Sequence, residues 1–349
     1  MKKYTLLAAA LLATGVAYAQ GPTNQYSGTP LRALSTPTNA NSTNPVVNGA
    51  SAFVPQPSYT AYSQDSYINQ AGSLNYATVT QVDGRTGGTN GGNSAVLNQT
   101  GNQNTATQIQ TLSNSPFQNA TYGPTGGTAT ARQFMKSTQD GSNSQTNQTQ
   151  EGGVFNTMTV TQGAGTSGNR AIQNQRKDGS GSGDAQQAVI NQTNASGFSA
   201  ASGNRAEQNQ TGILNTAQID QQGSNGWAKQ TQTSSANILP NNSAYIGQGA
   251  PGSRNTAEQI QTGSANAASI EQSRFAGNAG NNNFALQTQS QNLNQADIKQ
   301  RSSNNYAEQV QSGLAGGGGN YSSMNQSMVS SAAYSIQSGN NNTAIVVQR

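Results

Sequence analysis

From about residue 64 the chain alternates between two kinds of position. Seven-residue segments of the form N-x-A-x-x-x-Q recur, with the keyed residues at positions 0, 2 and 6. A period of 2 places these residues, and position 4 with them, on one face of a strand, whereas a helix would scatter them around its circumference. Clear copies begin at Asn75, Asn93, Asn104, Asn169, Asn204, Asn215, Asn242, Asn255, Asn266, Asn283, Asn294, Asn305 and Asn342. Weaker copies begin at Gln64, Gln133, Ser144, Asn156, Gln186, Gly226, Asn320 and Ser331, making 21 in all. Many neighbours are joined as Q-x-G-x-x-N, as in Gln99-Thr100-Gly101-Asn102-Gln103-Asn104. Gly72, Gly101, Gly212, Gly223, Gly263 and Gly339 fill the glycine slot, where a positive φ lets four residues reverse the chain.

Position 4 carries a second rhythm. Leu97, Val160, Ile190, Ile219, Ile246, Ile270, Ile298 and Val346 form an aliphatic series, and its members alternate with glutamines such as Gln108, Gln208, Gln230 and Gln259. Val79, Ser137 and Ser335 depart from the alternation. Odd and even units therefore belong to two sheets, one stacking an aliphatic column and the other a Gln column. The expected fold is all-β: a two-sheet β-solenoid of about 10–11 rungs, strand-turn-strand, with parallel strands stacked in register. At ~4.8 Å per rung it would be about 50 Å long.

The expected structural ladder comprises Asn75, Gln81, Asn93, Gln99, Asn104, Gln110, Asn204, Gln210, Asn215 and Gln221. It continues through Asn255, Gln261, Asn266, Gln272, Asn294, Gln300, Asn305, Gln311, Asn342 and Gln348. Each amide is expected to bond its own copy one rung along, as in Asn/Gln ladders, which satisfies polar groups that burial would otherwise penalise. Alanine at position 2 lets the sheets approach closely. No inward position carries a charge. Asp65, Lys136, Arg170, Glu207, Asp220, Lys229, Glu258, Glu271, Lys299 and Glu308 all fall on outward positions, where solvent is expected.

Composition changes the picture by exclusion. Of 349 residues, 8% are charged and 32% hydrophobic, and 43 Asn with 43 Gln fill much of the difference. That is too little apolar material for an ordinary globule. Without Cys or His there is no disulfide, no thiolate nucleophile, no Cys-ligated zinc and no imidazole base. The acidic residues are scattered singly, so no enzyme activity, cofactor or metal is expected. The net charge of +4 is small, and the only basic pair beyond the start is Arg176-Lys177, so nucleic acid is not an expected partner.

Residues 1–19 read as a secretory signal peptide: Lys2 and Lys3, an apolar run from Leu6 to Val16, then Ala17-Tyr18-Ala19. No run is long enough to span a membrane. Residues 20–60 hold six of the ten prolines and read as a flexible arm outside any sheet. The repeat region is 64–349.

A leader followed by such repeats resembles the curlin family, subunits of bacterial curli amyloid fibres. The residues that carry the resemblance include Gln70-Ala71-Gly72-Ser73-Leu74-Asn75-Tyr76-Ala77-Thr78-Val79-Thr80-Gln81 and the stretch Gln337 to Gln348. The match covers roughly residues 64–348, with about twice the rungs of a familiar five-repeat curlin. The resemblance implies periplasmic chaperones, export through an outer-membrane secretion pore, and a nucleator subunit. It also implies homopolymeric fibres at the cell surface, in biofilm matrix and adhesion. It further implies that the arm carries a secretion signal. On this reading the Asn342 strand of one subunit docks on the Gln64/Asn75 rung of the next. The alternative is a monomeric secreted solenoid that binds ice or another surface. That function needs a repeated outward array, and Thr105/Thr107/Ile109 and Arg170/Ile172/Asn174 do not repeat one.

Overall fold

The structure is a computed structural model that describes residues 44–45, 53–54, 65–83, 91–112, 131–152, 156–177, 186–194, 202–234, 242–249, 252–272, 280–313 and 318–349. The expected leader lies outside the described residues. Among the described residues every regular element is a strand. Two of them, β1 (Asn44–Pro45) and β2 (Phe53–Val54), form a two-residue antiparallel pair. Pro45 thus sits in a strand within the expected arm. An isolated pair is all edge, and there a missing N–H is tolerated.

The remaining strands form two sheets. An 11-stranded sheet holds β3 (Asp65–Ala71), β5 (Gly91–Thr100), β7 (Ala131–Gln139), β9 (Thr157–Gln162), β11 (Gln187–Gln192) and β13 (Thr216–Gln221). It continues with β15 (Ser243–Gln248), β17 (Ala267–Gln272), β19 (Gln295–Gln300), β21 (Tyr321–Gln326) and β23 (Thr343–Gln348). A 10-stranded sheet holds β4 (Tyr76–Asp83), β6 (Thr105–Leu112), β8 (Gln145–Glu151), β10 (Arg170–Arg176) and β12 (Arg205–Thr211). It continues with β14 (Trp227–Thr233), β16 (Thr256–Thr262), β18 (Phe284–Ser290), β20 (Tyr306–Ser312) and β22 (Ala332–Ser338). Each sheet stacks its strands in chain order, so every strand crosses over to the other sheet before its neighbour is laid down. This is a parallel β-solenoid. Equivalent residues face one another across each ladder, as in Ile190↔Ile219↔Ile246 of the odd sheet and Gln208↔Gln230↔Gln259 of the even sheet.

The core follows from the alternation. Val160, Ile190, Ile219, Ile246, Ile270, Ile298 and Met324 pack on Ala171, Ala206, Ala228, Ala257, Ala285, Ala307 and Ala333 of the facing sheet. In this cluster position 4 of the odd sheet thus meets position 2 of the even sheet and a large side chain meets a small one, whereas Met135 and Met158 fill position 2 of the odd sheet in two earlier rungs. One departure is compensated on this rule. Ser335 replaces a Gln in the even sheet, and Ser322 replaces the alanine opposite it. The two hydroxyls bond at 2.9 Å while buried.

The outer faces differ, and one expectation fails. Outward residues of the even sheet are half-exposed, as in β14 and β16. In the middle rungs of the odd sheet they are buried: Val189, Gln218, Asp220, Tyr245, Glu271 and Asp297 all fall below a tenth exposed. Asp220 points away from the inter-sheet core but accepts hydrogen bonds from Asn191 Nδ2 (2.9 Å), Gln218 Nε2 (3.1 Å) and the Tyr245 hydroxyl (3.2 Å). Gly247 is paired beside it and leaves room for the Tyr245 ring to lie across. Parity of position gives a side chain's direction relative to the core, not the crowding on the outside.

Candidate assembly surface

The structure brings the predicted ladder residues together in columns. In the odd sheet, Gln99 Nε2 donates to Gln139 Oε1 (2.8 Å), Gln192 to Gln221 (2.8 Å), Gln221 to Gln248 (2.9 Å), Gln272 to Gln300 (2.9 Å) and Gln326 to Gln348 (2.8 Å). In the even sheet, Gln81 donates to Gln110 (2.9 Å), Gln210 to Gln232 (2.9 Å), Gln261 to Gln289 (2.9 Å) and Gln311 to Gln337 (2.8 Å). A third column runs through position 4, with Gln208 to Gln230, Gln230 to Gln259 and Gln259 to Gln287 at 2.8–2.9 Å. The second Nε2 proton reaches a backbone carbonyl of the preceding strand in the facing sheet, as from Gln210 to Gln187 (2.9 Å) and from Gln348 to Ala332 (2.8 Å). A buried amide with this pattern leaves neither proton unpaired.

The asparagines behave differently from expectation. Their amides mostly bond backbone, not one another. Asn215 Nδ2 reaches back to Thr211 O (2.9 Å), Asn294 to Ser290 O (2.7 Å) and Asn342 to Ser338 O (2.8 Å), closing the four-residue turn. Asn104, Asn204 and Asn255 instead reach the turn carbonyls of Gly141, Gly223 and Gly280 one rung on. The Oδ1 atoms accept the backbone N–H of the equivalent residue in the next rung, as from Asn305 to Asn283 and from Asn294 to Asn266, both 3.0 Å. Asparagine is the length that reaches a turn carbonyl, whereas glutamine reaches across the strand gap to its own copy. Asn104, Asn204, Asn215, Asn255, Asn266, Asn294, Asn305 and Asn342 are buried, Asn75 is half-buried, and the side chain of Asn93 lies outside the described residues.

Gly72, Gly101, Gly212, Gly263 and Gly339 adopt φ of +91° to +108°. Gly223 does not. It is required for close approach instead, because a Cβ there would strike the Gly252 carbonyl oxygen. Sequence reasoning missed the second strained position of the turn. The residue just before the ladder Asn is left-handed even when it is Leu74 (+57°), Gln103 (+59°), Leu214 (+55°) or Leu293 (+64°). The signal was present, since Asn or Gly fills that slot at Asn282, Asn304, Asn341, Gly168 and Gly203.

All three Gln columns have one polarity: donors point toward the C-terminal rung and acceptors toward the N-terminal one. Among the described residues two of the columns run from β3 and β4 to β23 and β22, with β1 lying against β3, and the third stops one strand short at each end, at Gln108 and Gln309. The exposed large apolar residues gather toward the two ends, with Ile68, Leu74 and Tyr76 at one end and Met328, Val329, Tyr334, Ile345 and Val347 at the other. Away from the ends, the described residues expose only Ile109 and Leu293 of this kind. One buried acceptor near the first rung lacks a donor: Gln108 Oε1, because the slot before it holds Val79.

Among the described residues there is no group of three or more metal-ligating side chains, and no helix is long and apolar enough to cross a membrane. Comparison with protein-family models and with curated proteins finds no match to this chain.

Proposed function

We propose that the chain is a structural subunit of an extracellular, curli-like functional amyloid, self-assembling by end-to-end stacking of solenoids into fibres of biofilm matrix and adhesion. The observation that carries this reading is the polar ladder whose strand pairing stops, among the described residues, at β3/β4 and β22/β23, where most of the exposed large apolar side chains gather. Edge strands invite pairing. The rung at β23 offers Nε2 donors, the rung at β3 and β4 offers Oε1 acceptors, and parallel edges match head to tail. Tail-to-tail contact would oppose donor to donor. Secretion, the pore and the nucleator rest on the curlin resemblance of the repeats.

The competing reading, a monomeric binding solenoid, would draw on the outer aromatic column of the even sheet. There Phe284 and Tyr306 stack at 5.0 Å with their planes 9° apart, and Tyr306 and Tyr334 lie 5.2 Å apart. Rings stacked on one another cover their own faces and leave no flat platform for a ligand, so the polymer reading is preferred. The test is to dilute the chain from denaturant. Dye-binding fibres with a ~4.8 Å meridional reflection are expected. A monodisperse folded monomer at micromolar concentration would contradict the proposal.

A further inference from the structure

We propose that consecutive subunits in the fibre are related by a half-turn about the solenoid axis. Strand β3 of each copy then pairs with β22 of the copy before it, and β4 pairs with β23. The odd sheet of one copy runs into the even sheet of the next. This inference rests on the end-to-end reading above.

Among the described residues the solenoid has 11 strands in one sheet and 10 in the other, so the two sheets end out of step. Suppose successive copies kept their sheets aligned. Then β3 would follow β23, but β22 and β4 would stand two strand spacings apart, about 9.6 Å instead of ~4.8 Å. That leaves two unpaired edges inside the fibre. A half-turn removes the gap. Rotation about the axis also reverses strand direction, so the odd strands of the next copy arrive parallel to the even strands they join.

The side chains at the ends favour the same register. In the rotated register Val79 lies over Val346, Ile68 over Ser335, Gln70 over Gln337 and Gln81 over Gln348. Val79 is the residue that breaks the Gln column and leaves Gln108 Oε1 without a donor. Within one chain that choice only costs. Against Val346 of the next copy it continues the aliphatic column. At the other end Ser335 already has its partner in Ser322, so Ile68 covers no unpaired amide.

The turns match in the same register. The β3–β4 turn has left-handed residues at Gly72 (+105°) and Leu74 (+57°), and the β22–β23 turn has them at Gly339 (+91°) and Asn341 (+58°). The half-turn stacks these two like turns. Aligned sheets would put the first over the β21–β22 connection, where the left-handed residue is Ser330 (+59°) with no glycine before it. Strand length agrees at one of the two pairs, since β3 and β22 have seven residues each, while β4 has eight against six in β23.

Natural cysteines are absent, so cross-linking reads the junction directly. The full chain carrying Thr80→Cys with Val347→Cys, and a second chain carrying Asn69→Cys with Val347→Cys, are each assembled under reductant and then oxidised. Paired in-register residues lie within disulfide reach. The half-turn predicts covalent multimers from the Thr80 variant in at least tenfold excess over the Asn69 variant. Equal yields, or an excess from the Asn69 variant, would overturn the half-turn while leaving end-to-end assembly intact. Absence of fibres from the unsubstituted chain would overturn both. As an independent readout, Val79→Gln supplies the missing donor to Gln108 yet should slow elongation at least fivefold. An unchanged elongation rate counts against the rotated register.

Discussion

Replacing Gln230 by leucine separates a ladder from a set of independent hydrogen bonds. Gln230 is fully buried, accepts from Gln208 Nε2 at 2.9 Å, and donates to Gln259 Oε1 at 2.9 Å and to Gln218 O at 3.0 Å. Leucine has similar bulk. Gln230→Leu leaves one proton of Gln208 and the Oε1 of Gln259 unpaired, each at a cost of about 1–3 kcal/mol. It also gives up the bond to Gln218 O, about 0.5–1.5 kcal/mol, which apolar burial of leucine, about 1.5–3 kcal/mol, offsets. The net loss is about 1–5 kcal/mol.

Adding Gln259→Leu should cost almost nothing more. The double variant still has two broken ends, now Gln208 Nε2 and Gln287 Oε1, because the bond between the two substituted positions no longer has members to orphan. Its cost should equal or fall below that of Gln230→Leu alone, where independent bonds would give about twice that cost. A double-mutant cycle read by hydrogen-exchange mass spectrometry over β12 to β18 measures this coupling locally. Local readout matters because a solenoid need not unfold in one step. Additive losses of protection would refute the ladder as a cooperative unit.

Ile219→Lys places a charge in the closed aliphatic column between Ile190 and Ile246 and should cost more than about 3 kcal/mol and abolish fibre growth, whereas Thr231→Lys on the half-exposed face should be tolerated. Asp220→Lys should also destabilise, because it removes the acceptor for Asn191, Gln218 and Tyr245; guanidinium midpoints of the three variants give the ranking. Leu214→Gly should stabilise by about 0.5–1 kcal/mol in the same assay, since glycine relieves the left-handed φ of +55° at some loss of chain entropy. Burial raises the carboxyl pKa of Asp297 above its ordinary value, against the opposing pull of Lys299 at 3.3 Å. Folding therefore favours the protonated form, and that contribution is full at low pH and lost as pH rises through the raised value. Asp297→Asn should match the unsubstituted chain in acid and exceed its urea midpoint at pH 8; a gap that is equal at both pH values would contradict the assignment.

Much of this was legible in the sequence because a parallel stack repeats its chemistry every rung. The keyed glutamines, the Ile–Gln alternation and the Ile-on-Ala packing all follow from period 2 and the mutual need of buried amides. What escaped the sequence depended on length and crowding, which a pattern of types does not encode. Asparagine is one methylene shorter than glutamine, so its amide mostly bonds turn carbonyls of its own or the next rung and its Oδ1 takes the next rung's backbone N–H. Direct Asn–Asn bonds run from Asn242 to Asn215 and from Asn320 to Asn294. Leu214 and Leu293 take left-handed backbone because closure of the turn holds them there. Asp220 keeps its outward direction yet is buried, because Gly247 beside it admits the Tyr245 ring. Val79 and Ser335, which looked like noise in the alternation, sit at the two ends of one column.

The central claim is that one chain supplies about ten and a half rungs of a single-file stack, and mass per unit length tests it most directly. A subunit of 35.9 kDa spanning about 50 Å gives about 0.7 kDa per Å for a single filament, as dark-field scanning electron microscopy would read it. An ordinary in-register amyloid, with one chain per ~4.8 Å layer, would give about 7.5 kDa per Å. A value near 0.7 kDa per Å, or a small integer multiple where filaments pair side by side, is the predicted result. A value near the tenfold higher figure would contradict the account.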